Sequence, residues 1–279
     1  MTLGTLYVVA TPLGHLGDLS PRASETLRGV DTVAAEDTRR TQGLLATIGA
    51  TPRLLSYHAH SEARREVLLL EILRDGRDVA LVTDAGTPAI SDPGTGLVAA
   101  ARAAGIRVVP IPGPSAVPTA ISASGLPGDR YLFLGFLPRK GSERRALIER
   151  AAREPWTVVC FEAANRLDGL LEDLIAACGT DRPVVVAREL TKLHEELRGG
   201  TLQEVREHFL ATPPRGEVTV VLGGAPAGSD VVRHDPAEIS EAIRAGLAAG
   251  ESRKDVARKV AAQFNLARND AYRLVMEQP

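Results

Sequence analysis

Over the first 114 residues, short apolar runs alternate with amphipathic stretches, and each run stops at a polar segment rich in glycine and proline. Residues 3–10, 32–35, 54–57, 79–82 and 107–111 read as strands: mostly apolar and bounded by turn formers. Between them, Ser20-Pro21 opens a helix as N-cap and first helical residue, with Gly29 just past its end. Asp37 caps a second helix that Gly49 terminates, 62–74 carries an apolar face that includes Val67, Leu70 and Leu73, and 96–105 supplies a fourth. Five strands alternating with four helices predict an α/β domain with a mostly parallel sheet over residues 1–114.

The pattern restarts near Ser115, which is placed to cap a helix of small residues. Strands are expected at 131–136, 157–161, 184–187 and 217–222, with a short extra one at 195–198, and helices at 143–153, 166–177 and 202–210. This second α/β domain spans 115–225. Residues 223–235, rich in Gly, Ala and Pro, read as a linker, and the 226–279 segment ends in a small module of three helices at 237–249, 252–263 and 267–277. Within that module Val256, Ala257, Val260, Ala261 and Phe264 share one helical face, Lys254 and Arg258 lie on another, and 265–267 form a turn.

The candidate chemistry gathers where strands end. After 79–82 come Thr83, Asp84, Gly86, Thr87, Pro88, Ser91, Asp92, Pro93 and Gly94, a long shaped loop without a helix. Glycine admits close backbone approach, proline fixes φ, and the side-chain oxygens make the loop polar. In open parallel sheets ligands collect at this end of the strands, and connections of this length are more often functional than structural.

Composition narrows the classes. A net charge of −2 gives no general attraction to nucleic acid, so RNA contact requires local patches; 29 of the 33 basic residues are arginine, which suits bidentate phosphate contact. Cys160 and Cys178 are too few for a disulfide or zinc framework. No apolar run has the length of a membrane span and the first residues lack signal-peptide order, which together predict a cytoplasmic protein. The Gly-x-x-x-x-Gly-Lys-Ser/Thr phosphate loop is missing, 94–99 fits the dinucleotide fingerprint only loosely and too far from its strand, and Ser91 and Ser115 lack a nucleophile elbow. His58, His60 and Asp84 do not make a convincing metal set, and none is expected.

Thr11-Pro-Leu-Gly-His-Leu-Gly-Asp-Leu-Ser, Ala35-Glu-Asp-Thr-Arg, Thr83-Asp-Ala-Gly-Thr-Pro-Ala-Ile-Ser-Asp-Pro-Gly, Pro110-Ile-Pro-Gly-Pro-Ser, Gly135-Phe-Leu-Pro and Ala187-Arg-Glu-Leu-Thr-Lys follow in order. Together they resemble the tetrapyrrole methylase superfamily, and within it the subgroup acting on small-subunit ribosomal RNA. The resemblance implies two α/β domains with S-adenosyl-L-methionine in the cleft between them. It also implies methyl transfer to the 2′-oxygen of a cytidine in the decoding region of 16S rRNA, naked or in the assembled small subunit, by a homodimer. Arg40, where a histidine is common, and Cys160-Phe161, in place of a more usual aromatic pair, depart from the pattern.

A sulfonium donor needs no phosphate cradle, and Gly86, Thr87, Pro88, Ile90 and Ser91 are suited to line its pocket from the first domain. The resemblance adds Leu13, Ser115 and Ala116, then Glu162, Leu190 and Val218 from the second domain. A ribose hydroxyl is a poor nucleophile that calls for a base. Glu36, Asp37, Asp84, His58 and Glu189 are available at strand ends, and Glu36 and Asp84, with Lys192 to orient the hydroxyl, are the expected catalytic set. Arg39, Arg139, Lys140, Arg144, Arg145, Lys254 and Arg258 are the expected RNA contacts. Two other readings remain open: methylation of a tetrapyrrole ring, and a ligand-sensing DNA-binding regulator using the last three helices.

Overall fold

The computed structural model describes residues 2–58, 62–226, 236–264 and 268–276. Two compact units emerge, Met1–Ala225 and Pro226–Pro279.

The first unit holds two five-stranded sheets. In the first, β1 (Thr5–Val9), β2 (Thr32–Ala35), β3 (Arg53–Ser56), β4 (Val79–Val82) and β5 (Arg107–Ile111) run parallel in the order β3-β2-β4-β1-β5. Because side chains alternate along a strand, Val79 and Leu81 face one side, against α3 (Glu62–Arg74) and α4 (Thr95–Ala103). Ala80 and Val82 face the other, against α1 (Pro21–Gly29) and α2 (Thr38–Thr47). Neighbouring strands β1 and β4 therefore send their chains to helices on opposite faces. That is a topological switch point, and it opens a crevice beyond their carboxyl ends.

Local signals account for several helix starts. Ser20 caps α1 by accepting from Ala23 N with Pro21 in the first turn, and Asp37 caps α2 by accepting from Arg39 N. Three readings change. Gly29 belongs to α1, with Val30 as its C-cap. Ser115 stands at the N-cap of α5 (Ala116–Ser124) but its side chain makes no capping hydrogen bond. On α3 Val67 is 58 % exposed, and Leu69, Ile72 and Leu73 are the buried face. Four consecutive apolar residues at 67–70 left the face ambiguous; packing of Leu69, Ile72 and Leu73 with Val79 and Leu81 decides it, and the Tyr57 hydroxyl bonds Glu66 Oε1 at 3.0 Å.

The second sheet has the order β6-β7-β10-β8-β9, made of β6 (Tyr131–Phe136), β7 (Thr157–Ala163), β8 (Pro183–Arg188), β9 (Glu196–Thr201) and β10 (Glu217–Leu222). Only β6 and β7 pair in parallel; the other three ladders are antiparallel. One face buries α6 (Ser142–Arg153), α7 (Leu167–Cys178) and α8 (Leu202–Ala211). The opposite face packs on α5 and on Leu13, which follows β1, so the loop leaving the first sheet is part of the second sheet's core. Strand β9 runs through Gly199 and Gly200, beyond the expected 195–198, because those glycines sit on an edge strand opposite Val185 and Val184.

The second unit contains α9 (Pro236–Ala248), α10 (Arg253–Gln263) and α11 (Arg268–Met276). Val256, Ala257, Val260, Ala261 and Phe264 are buried with Ile243, Ala271 and Val275, as the helical period predicts, and Lys254 and Arg258 are exposed. The expected 265–267 turn, most of the 223–235 linker and His60 lie outside the described residues.

Candidate active site

A cavity of about 580 Å³ lies between the carboxyl ends of the first sheet's strands and the second sheet. One wall is the loop between β4 and α4. Gly86 takes φ +92°, and its N–H and carbonyl are used in a two-way bridge to Thr11 (Thr11 N to Gly86 O 2.8 Å, Gly86 N to Thr11 O 3.0 Å). The loops after β1 and β4 are thereby tied together, and the backbone polar groups of Gly86 are spent on that tie. Thr87 Oγ1 donates to Pro114 O at 3.1 Å, which joins in the loop after β5.

The facing wall is the turn between β8 and β9, closed by Lys192 N donating to Glu189 O at 2.9 Å and Glu195 N donating to Lys192 O at 3.1 Å. His15 N donates to Thr191 Oγ1 at 3.1 Å across the gap. The approach is so close there that a Cβ on Gly14 would lie 2.2 Å from Lys192 Cγ. Ala89, Ser91, Glu189 and Thr191 have φ of +65°, +61°, +50° and +63°, and they are the only non-glycine residues with positive φ among the described residues. All four sit on these two walls. Left-handed backbone costs roughly 1–2 kcal/mol per ordinary residue and persists where surrounding structure enforces it, commonly at functional sites.

Leu13, Gly86, Thr87, Ile90, Ser91, Ser115, Ala116, Leu190 and Val218 all line the cavity, although they come from loops and strands across more than two hundred residues of chain. Pro88 is buried and Glu162 is fully enclosed; neither lines it. For Glu162 the reason is alternation: Phe161 and Ala163 face the cavity, so the residue between them faces the α6–α7 side. Its carboxylate meets Arg166 Nε at 3.0 Å and Arg144 Nη1 at 3.5 Å, and takes Ala163 N–H at 2.9 Å.

Arg144 is accordingly no surface residue. Its side chain is 12 % exposed, bound to Glu162, Asp173 and Pro138 O, whereas Arg139, Lys140 and Arg145 are exposed. Adjacency in the sequence groups Arg144 with a basic patch, but its place on α6 turns it inward. Arg39 is 90 % exposed and pairs with Asp37 at 3.1 Å, holding that carboxyl below its usual range.

The expected catalytic set divides. Lys192 lines the cavity with its Nζ on Glu189 Oε1 at 2.9 Å. Asp84 does not line it: Asp84 Oδ1 accepts from Asp37 N at 3.0 Å and Oδ2 faces Arg40 Nη1 at 3.4 Å, while burial foremost raises its pKa. Glu36 stands one hydrogen bond behind the wall, on Thr83 Oγ1. Asp92, Glu217, Phe136, Phe161 and Arg40 line the cavity and were not among the expected site residues. Asp92 was visible as a loop oxygen, but only the fold shows that burial, ahead of its carboxylate neighbours, pushes it up to about 6.

Apolar walls and several carboxylates suit a ligand with an apolar body and a positive centre. The family model for tetrapyrrole (corrin/porphyrin) methylases matches residues 5–206. Among curated relatives, "Ribosomal RNA small subunit methyltransferase I" of Synechocystis is 44 % identical over 275 residues, covering 99 % of this chain and 98 % of that one. The protein of the same name from Escherichia coli O157:H7 is 41 % identical, covering 99 % and 96 %. Among solved structures, cobalt precorrin-4 methyltransferase superposes with TM-score 0.63 at 19 % identity, covering 78 % of this chain and 94 % of its own. Uroporphyrin-III C-methyl transferase from Thermus thermophilus, complexed with S-adenosyl homocysteine, gives TM-score 0.57 at 21 % identity, covering 79 % and 97 %. With its fold, its cleft and a full-length match to these relatives, the chain belongs to the tetrapyrrole methylase family, in the branch of the ribosomal RNA small subunit methyltransferase I proteins.

Proposed function

We propose that this methyltransferase uses S-adenosyl-L-methionine to methylate the 2′-oxygen of a cytidine in the decoding region of 16S rRNA. The observation that carries the reading is the convergence of Leu13, Gly86, Thr87, Ser115, Leu190 and Val218 on one cavity that also presents the carboxylates of Asp92, Glu189 and Glu217, with the cations Arg40 and Lys192 each engaged by a carboxylate. Such a pocket fits the donor: the apolar side chains match its adenosine and methylene surfaces, and Asp92, Glu189 and Glu217 match positive charge. Bound there, the donor supplies an electrophilic methyl group on a sulfonium. The chain's own residues align the ribose oxygen with that carbon and keep water out.

In this reading the halves 1–114 and 115–225 act as two lobes around the donor, and 226–279 is a separate module. Arg39, Arg139, Lys140 and Arg145, with Lys254 and Arg258 on the module, are the groups proposed to meet rRNA phosphates. The working form is a cytoplasmic homodimer.

Incubation with methyl-labelled donor and naked 16S rRNA, small subunits or a porphyrin precursor tests the assignment. Label recovered as 2′-O-methylcytidine from rRNA or subunits supports it, and label only in the porphyrin contradicts it.

A further inference from the structure

At the carboxyl edge of the parallel sheet, one buried hydroxyl faces two carboxyl groups. The register Ala35↔Val82 sets Glu36 and Thr83 next to each other at the ends of β2 and β4. Thr83 is 4 % exposed, and its Oγ1 lies 2.9 Å from Glu36 Oε2 and 2.8 Å from Asp92 Oδ2. A hydroxyl carries one proton and donates once. When both carboxyls are ionised, one of these approaches is a hydrogen bond and the other sets lone pair against lone pair where little water screens them. A proton on Asp92 turns the second approach into a hydrogen bond, with Asp92 donating to Thr83 and Thr83 donating to Glu36. A proton on Glu36 would satisfy the trio equally; Asp92 is the member that lines the cavity and can exchange its proton there.

We propose that Asp92 is the general base that takes the ribose hydroxyl's proton, and that Glu36, by engaging the Thr83 hydroxyl, is the positioning residue that leaves the Asp92 carboxylate free to accept it. This rests on the RNA reading above. In the step, the O–H bond of the ribose breaks and an O–H bond forms on Asp92. The ribose oxygen's electron pair forms the bond to the methyl carbon, and the electrons of the carbon–sulfur bond stay on sulfur as a neutral thioether. Product rRNA gains one methyl group and the protein one proton, which it returns to solvent.

The charged surroundings of Asp92 favour the role. Glu36 faces it from the end of β2, Asp84 from its own loop and Glu217 from the start of β10, all of them negative and all raising its affinity for a proton. Nearby cations are engaged: Arg40 of α2 with Asp84 at 3.4 Å, and Lys192 with Glu189 at 2.9 Å.

Two readouts on the full-length protein test the proposal. The first is single-turnover methylation of small subunits across pH. Wild type should lose rate below an apparent pKa near 6. Asp92→Asn should lose that limb together with roughly 100-fold or more in rate, the usual contribution of a general base. Glu36→Gln should move the limb to lower pH as a like charge is removed. The second needs no turnover: the 13C carboxyl resonance of Asp92, assigned by its loss in Asp92→Asn, should titrate near 6 in wild type and lower in Glu36→Gln. Titration near 4 that ignores Glu36→Gln, or an intact acid limb in Asp92→Asn, would overturn the proposal. If Asp92 titrates as described while neither rRNA nor subunits accept the methyl group, the shared proton is upheld and the RNA reading fails.

Discussion

Asp92 illustrates how a single half-buried side chain links stability to chemistry. Its pKa in the folded protein, about 6 against an ordinary 3.8, means that the native state binds this proton more tightly than the unfolded chain does. Stability therefore falls as pH rises from about 4 to about 6 and stays reduced above that window. Asp92→Asn removes the burden: thermal melts should show a gain on the order of 1 kcal/mol at pH 8, after allowance for solvent screening, and none at pH 4. Glu162 behaves oppositely. Enclosed between Arg144 and Arg166, it neutralises two largely buried cations, and Glu162→Leu should lower the unfolding free energy in urea by about 3 kcal/mol through stranding them. The family resemblance marks Glu162 for the cofactor, but strand alternation, unknown until the register of β7 is fixed, turns it to the other face.

Among the elements, the two loops that form the cavity walls carry more constraint than any helix. Residues 83–94 were legible in the sequence because glycine, proline and short polar side chains in such density have few other uses. The turn 189–195 was less legible, since Glu189 and Thr191 reach positive φ without a glycine to announce it. Lone strands and caps were readable where a local rule decides them, as at Ser20 and Asp37. The face of α3 was not, because a continuous apolar run leaves the choice to tertiary packing. Gly14 joins the two loops, and a methyl group there would collide with Lys192 and approach Leu190 O at 3.3 Å. Gly14→Ala should therefore displace the 189–195 turn. Calorimetry should find S-adenosylhomocysteine bound roughly tenfold more weakly, a weakening of about 1.4 kcal/mol, with little change in melting temperature.

For the whole molecule, the net charge of −2 means that attraction to RNA must come from placed cations rather than from the overall field. Arg139, Lys140 and Arg145 are exposed and suited to that task. Reversing all three to glutamate should flatten the dependence of log K for RNA on log salt by roughly 0.7 for each phosphate that is no longer neutralised. Arg144→Glu should instead destabilise the fold, because Arg144 partners a buried carboxylate. Methyl transfer as proposed requires the cleft between the two sheets to seat the methyl donor. A crystal structure of the protein grown with S-adenosylhomocysteine tests this most directly. Density against Gly86 and Thr87 on one wall and Leu190 and Val218 on the other is the predicted result; ligand bound away from these residues, or a cleft that stays empty at saturating ligand, would contradict it.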